Sequence, residues 1–238
     1  MRQYERRAEY EVQKRIDLLA ELMARAHLTL DLDTINLAVS FSRDIIPRLR
    51  YVHYSELAAA LIYHAARYMR YVVTWEMILE VWARFKNRSE RAKYGTDLSR
   101  RRVFHEYRQI TELGLLPLLD FEVVNENALK LAGNGLRLPD QIYRLAAQYL
   151  TIFRGVKRRR FGLASIVAAI YLAAKEKEKM LKRPITVSEI LRSNEVFTYV
   201  SNNAVSSNIQ RMQRIVHFWV ILNKYKSQLK NDQHAETL

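Results

Sequence analysis

Three stretches of this chain return further along it at one fixed distance, and that duplication constrains the fold more than any single motif. Leu28-x-Leu30 returns as Leu136-x-Leu138, Leu37-Ala-Val-Ser-Phe41 as Leu145-Ala-Ala-Gln-Tyr149, and Ala60-Leu-Ile-Tyr63 as Ala168-Ala-Ile-Tyr171, each 108 positions on. The match then steps. Thr74 with Ile78-Leu79 pairs with Thr186 and Ile190-Leu191 at 112, and Ser99, Val103 and Ile110 pair with Ser201, Val205 and Met212 at 102. A constant offset over three segments is hard to obtain by chance. The chain therefore reads as two copies of a roughly five-helix unit, the first with about ten extra residues before Ser99.

Within each copy, apolar residues recur at spacings of three and four, the period of a helix buried along one face. Ile16, Leu19, Ala20 and Met23 line a first helix from about Gln3 to Ala26, with Arg6, Arg7, Lys14 and Arg15 opposite. Further helices are predicted at Asp33–Ile46, Tyr54–Met69, Thr74–Phe85, Ser99–Leu113, Asn125–Ala132, Asp140–Phe153, Phe161–Lys179, Thr186–Leu191 and Ala204–Leu229. Asp33, Ser55, Thr74, Thr186 and Ser201 are residue types that cap helix starts, and Thr186-Val-Ser-Glu189 fits a capping box. Pro117 breaks the segment Leu115–Glu122 into a packed connector, and Gly133-Asn134-Gly135 reads as a turn. Val72-Val73 and Val123-Val124 are too short for a sheet. The expected fold class is all-α. Domains are expected at 1–27 (an amphipathic N-terminal helix), 28–121, 122–230 and a disordered tail at 231–238.

Composition narrows this further. Six glycines among 238 residues, where about 17 are usual, argue against sandwiches and phosphate-loop folds. The absence of cysteine excludes disulfides, thiol nucleophiles and zinc fingers. No apolar run reaches the ~20 residues of a membrane span, and the start MRQYERRAEYE predicts no secretory leader, so a soluble intracellular protein is expected. Lys and Arg number 39 against 25 Asp and Glu, a net +14 that favours a polyanionic partner, nucleic acid before an anionic membrane. A basic surface that only confers solubility is the plain alternative. The alanines in Ala58–Ala66 and Ala168–Ala174 suit a helix closely surrounded by others, although alanine is also simply a good helix former.

These segments together resemble the cyclin-box repeats of archaeal transcription factor B and eukaryotic initiation factor IIB. The second repeat carries the resemblance through Leu136–Leu150, Ser165–Lys175, Pro184–Leu191 and Ser201–Met212; the first does so more loosely through Leu57–Tyr68, Thr74–Leu79 and Leu98–Ile110. The matched region, Leu28 to Leu229, is most of the chain. The resemblance implies two tandem cyclin-like five-helix repeats preceded by the N-terminal helix, with a helix-turn-helix closing the second. It implies double-stranded promoter DNA and the TATA-binding protein as partners, RNA polymerase as a further one, no membrane, and a cytoplasmic setting in archaea or a nuclear one in eukaryotes. Thr186–Leu191 would be the first helix of the motif and Ala204–Arg214 the recognition helix. With Val205, Ile209, Met212 and Val216 turned inward, Asn202, Asn203, Ser206, Ser207 and Gln210 point outward as candidates for base contact. Ser and Asn also occur at helix starts merely as caps.

Three departures stand out. No cysteine is present to build the zinc ribbon with which the family docks on polymerase. Ser206 stands where the family commonly carries arginine. The extra stretch Lys86–Lys93 is basic and would add a phosphate contact or lengthen a solvated loop.

Two basic clusters are candidates for the DNA backbone. Arg154, Lys157, Arg158, Arg159 and Arg160 form the densest positive run, otherwise a solvated turn or a dock for an acidic protein. Arg100, Arg101 and Arg102 open a helix, where a phosphate would satisfy both the amides and the guanidinium groups. Lys175–Arg183 alternates with Glu176 and Glu178 and reads as a solvated helix end. No phosphate loop, nucleophile elbow or His-Glu-x-x-His stretch is present, and the six histidines show no close ligand spacing. No enzymatic activity, cofactor or metal is therefore expected. The leading expectation is a DNA-associated initiation factor. The alternatives are a cyclin-like protein-binding module (an accessory transcription factor or kinase regulator) without sequence-specific readout, and an RNA-binding helical protein.

Overall fold

The structure, a computed structural model, describes residues 3–87, 89–90, 93, 98–119, 121–157, 162–181 and 183–235, with side chains except at 121–124, 154–157 and 220–235. It is all-helical, with no strand among the described residues. Two compact units meet in sequence between Asn127 and Ala128.

The first unit contains α1 (Gln3–Arg25), α2 (Leu32–Ile45) with a 3-10 turn at Ile46–Arg48, α3 (Tyr54–Tyr68), α4 (Trp75–Phe85) and α5 (Arg100–Glu112). α3 is the axis: α1, α2, α4 and α5 all pack on it, and every residue from Glu56 to Arg67 is buried. Ala58, Ala59, Ala60, Ala65 and Ala66 are wholly inaccessible, since only a methyl-sized side chain lets backbones close in from several sides. α1 packs on α2, α3 and α4, so the first unit includes the helix that the sequence pattern places ahead of it. Arg15 belongs to the inner face of α1 rather than the solvated one. Its Nε donates to Ser55 Oγ at 3.1 Å, and its guanidinium pairs with Glu11 at 2.6 Å and lies over the Tyr54 ring.

The second unit contains most of α6 (Phe121–Leu136), then α7 (Asp140–Lys157), α8 (Leu163–Glu176), α9 (Val187–Arg192), a 3-10 turn at Glu195–Tyr199 and α10 (Asn202–Ala235). Here α8 is the axis, with α7, α9 and α10 against it and Ala168, Ala169, Ala173 and Ala174 buried. The helix starts repeat the sequence offsets: Trp75 and Val187 lie 112 apart, Arg100 and Asn202 lie 102 apart. Tyr63 stacks on Trp75 at 3.8 Å, whereas its counterpart Tyr171 is only half-buried.

Capping explains most boundaries and corrects some. Thr74, Thr186 and Ser201 accept from Met77, Glu189 and Ala204 backbone N–H, and the Thr186–Glu189 capping box is formed. α2 begins one residue earlier than expected, and its cap is Asp31, accepting from Thr34 N–H at 2.8 Å, and not Asp33. Ser55 lies inside the first turn of α3, where it accepts from Arg15 instead. The scarcity of glycine has a visible cost. α1, α3 and α6 each end in a residue of left-handed conformation that is not glycine: His27, Arg70 and Arg137. In all three the next amide reaches back five residues, Leu28 to Met23 O, Tyr71 to Ala66 O and Leu138 to Gly133 O, satisfying carbonyls the helix leaves open.

Gly133 and Gly135 are not a turn, because both lie within α6. A Cβ at Gly133 would fall 1.5 Å from Tyr143 Oη, and one at Gly135 would fall 2.2 Å from the Ser193 carbonyl oxygen. Close helix approach, not backbone flexibility, is what selects glycine here. Gly135→Ala is accordingly expected to lower stability by about 1–3 kcal/mol by overpacking, although propensity alone favours alanine by about 1 kcal/mol. Chemical denaturation decides it, and a raised midpoint would contradict the packing account.

Leu118, in the expected packed connector, is instead 95 % exposed. α10 continues through residues 231–235, beyond the expected end at Leu229, because nothing from Asn202 to Ala235 is glycine or proline.

Candidate nucleic-acid interface

The start of α10 is held from two directions. Ser201 caps it, and the preceding 3-10 turn is anchored by the buried Val196 and Phe197. Val205 and Met212 are fully buried and Ile209 and Val216 half-buried, as the helix packs on α7 and α8. A helix so anchored must present its other side outward. Asn202, Asn203, Ser206 and Gln210 are exposed and Ser207 is half-buried. Asn208, half-buried between the two faces, accepts from Ser165 Oγ at 3.2 Å and donates to Ala204 O at 2.8 Å, which ties the helix register to α8.

The exposed polar stripe runs further than the expected recognition helix. Arg211, Gln213, Arg214 and His217 are exposed along the same stretch, followed by Phe218 at 66 % and Trp219 at 44 % exposure. Arg211, Gln213 and Arg214 lie within the expected recognition helix, where the same helical period would have found them, and His217, Phe218 and Trp219 lie just past its expected end. Gln213, Arg214 and His217 also border a cleft of about 630 Å³ whose other wall includes Tyr149, Leu172 and Glu176. There the Tyr149 hydroxyl donates to the Glu176 carboxylate; burial and that carboxylate hold the phenol well above its ordinary value. α9 packs chiefly on α8 and on the 3-10 turn, and the link Ser193–Ser201 is longer than the 3–4-residue turn of a compact helix-turn-helix.

The backbone candidates divide. Arg100 pairs with Glu76 at 3.0 Å and lies over the Phe104 ring, so part of its charge is already used. Arg101 and Arg102 are exposed beside it, in a first turn that carries no acidic residue. Arg154 and Lys157 stand on the last turn of α7, which runs four residues beyond the expected end at Phe153. Arg158, Arg159 and Arg160 lie outside the described residues. In the extra basic stretch, Lys86 is buried with its ammonium 4.3 Å from the Trp82 ring centroid, so it is not a phosphate ligand.

Among the described residues no group of histidines and carboxylates is placed to hold a metal ion, and no helix is long and apolar enough to cross a membrane. No family model matches the sequence, and no curated protein matches it at a significant level.

Proposed function

We propose that this protein is a DNA-associated transcription initiation factor of the transcription factor B type, binding promoter DNA together with the TATA-binding protein through two cyclin-like lobes. The observation that carries this reading is the start of α10, where Asn202, Asn203, Ser206 and Gln210 are exposed on a helix whose opposite face is locked by Val205 and Met212. Asn and Gln side chains match the donor–acceptor pair that adenine presents in the major groove, and a helix offers its N-terminal residues to base edges. The net charge of +14 supports a large electrostatic contribution.

The test is a mobility-shift titration on a TATA-containing duplex, with and without TATA-binding protein, at two salt concentrations. A supershift that requires both proteins supports the reading. Neither a supershift nor salt-sensitive duplex binding would remove it. Arg101→Ala combined with Arg102→Ala is expected to weaken binding alike on all sequences and to flatten the slope of log affinity against log salt by up to ~2. Gln210→Ala is expected to change discrimination between sequences and leave that slope alone. For the loop, unchanged affinity and slope after replacing Arg158, Arg159 and Arg160 with alanine would exclude it from the interface.

One observation favours the second reading, a cyclin-like protein-binding module. Phe218 and Trp219 expose large aromatic surface near the apolar cleft of the second unit, and aromatic residues are enriched where proteins meet. A module of that kind would bind a protein partner through this surface and show no salt-sensitive duplex affinity.

A further inference from the structure

A recess of about 430 Å³ in the first unit combines groups that no helical packing requires. Its floor is Glu106 of α5, which is 1 % exposed, and its rim carries Arg48, Arg50, Tyr51, His53 and His105, with Glu112 exposed at the edge and already paired with Arg108 at 2.7 Å. One carboxylate oxygen of Glu106 meets the His53 backbone N–H at the start of α3, while Oε2 has no hydrogen-bond partner among the described residues. Leaving a buried carboxylate oxygen unpaired carries its full desolvation penalty. Glu56, buried close by, adds like charge, so packing alone gives no reason to keep an acid here. Tyr51 is 67 % exposed and meets His53 edge to face, with centroids 4.8 Å apart, so at least one face of each ring stays uncovered by the other.

Three ligand chemistries can be compared. A polyamine or metal cation would satisfy Glu106 and be repelled by the two arginines. A bare phosphate would satisfy the arginines and leave Glu106 facing a like charge. A nucleotide satisfies both, offering an amine to the floor, a ring to the aromatic side and a phosphate to the rim.

We propose that this recess is a nucleotide-binding site, holding a base that bears an exocyclic amine against Glu106 and its phosphate on Arg48 and Arg50. The volume lies within the usual range for small-ligand sites, about 300–1,000 Å³. The occupant is either a free nucleotide or an unpaired base of a strand, and the two share this chemistry. The proposal does not rest on promoter binding, because it involves neither the start of α10 nor duplex DNA.

Calorimetric titration of the full chain at pH 8 with CMP, with UMP and with the 5′-monophosphate of the cytidine analogue that lacks the 4-amine tests it; the analogue keeps N3 an acceptor and differs from CMP only in the amine, whereas UMP also turns N3 into a donor. CMP is expected to bind at least ~tenfold more tightly than either, the worth of one hydrogen bond to a charged group. In Glu106→Gln the amide presents a donor in place of the acceptor, so the preference is expected to vanish or invert. Arg50→Ala, at an exposed position where folding is not at stake, is expected to weaken the nucleotides alike and keep the preference. A parallel titration with short single strands of dC and dT separates the sources. Preference among monophosphates assigns a free nucleotide, and preference confined to strands assigns an unpaired base. Equal binding of all the bases in both arms, or a preference unchanged in Glu106→Gln, overturns the proposal.

Discussion

Trp82→Ala is expected to destabilise the first unit by about 3–5 kcal/mol, the range for deleting a buried aromatic side chain. That is a large part of the roughly 5–15 kcal/mol that holds a typical protein folded. Trp82 is wholly inaccessible in α4, so nothing but the surrounding side chains can fill its volume, and a close-packed core fills it poorly. The substitution also strips the ring face from the buried Lys86 ammonium, 4.3 Å away. Trp82→Phe separates these contributions from the indole N–H. That donor finds no acceptor among the described residues, so losing it relieves a cost while a ring remains for Lys86. The phenylalanine variant leaves a smaller cavity and is expected to lose distinctly less than the alanine variant. Urea unfolding followed by helical circular dichroism measures both, and variants within about 1 kcal/mol of each other would contradict this account of the packing.

The second large effect is on pH dependence. Burial, and then the neighbouring Glu56 carboxylate, push the Glu106 carboxyl up to about 7, against the His53 backbone N–H that acts the other way. The ordinary value of 4.5 holds in the unfolded chain, which therefore releases this proton first as pH rises. Glu106 thus favours the folded state fully below about 4.5 and loses that contribution as pH climbs through about 7. The loss amounts to on the order of 3 kcal/mol. Glu106→Gln carries no such proton. Its amide can still accept from His53 N–H and carries no charge to be repelled by Glu56, so the variant is expected to be more stable than the parent at pH 8 and no more stable at pH 4. Glu11, Asp31 and Glu189 are held below the ordinary value by hydrogen bonds, from Arg15, Thr34 and Thr186 respectively, and work in the opposite direction. They are common to both proteins, so the difference between the two pH profiles isolates Glu106. Parallel profiles would contradict the assignment.

Much of the architecture was legible because it is local. The three-and-four spacing of apolar residues and the caps at Thr74, Thr186 and Ser201 act within one or two turns, and they place the helices to within a few residues. The inward set Val205 and Met212 follows from the same period, and with it the outward set at the start of α10. Charge position was less legible. Arg15 and Lys86 look solvated in a sequence, yet Arg15 is drawn in by Glu11 and Ser55 and Lys86 by an aromatic ring from the preceding turn. Glu106 gave no warning at all. It reads as an ordinary exposed helix glutamate, because the recess around it is assembled from a loop some fifty residues away.

By itself, the sequence determined that this chain is helical, that several of its segments recur at near-constant offsets, and that it carries a large net positive charge. Each of those follows from short-range pattern, duplication or composition. Only the tertiary structure decided which residues meet: that Gly133 and Gly135 yield space to Tyr143 and to the Ser193 carbonyl, that α1 belongs with the first unit, and that Glu106 lines one recess with Arg48 and Arg50. Such contacts join residues distant along the chain. Burial and close approach, which give those residues their chemistry, exist only once the helices have packed.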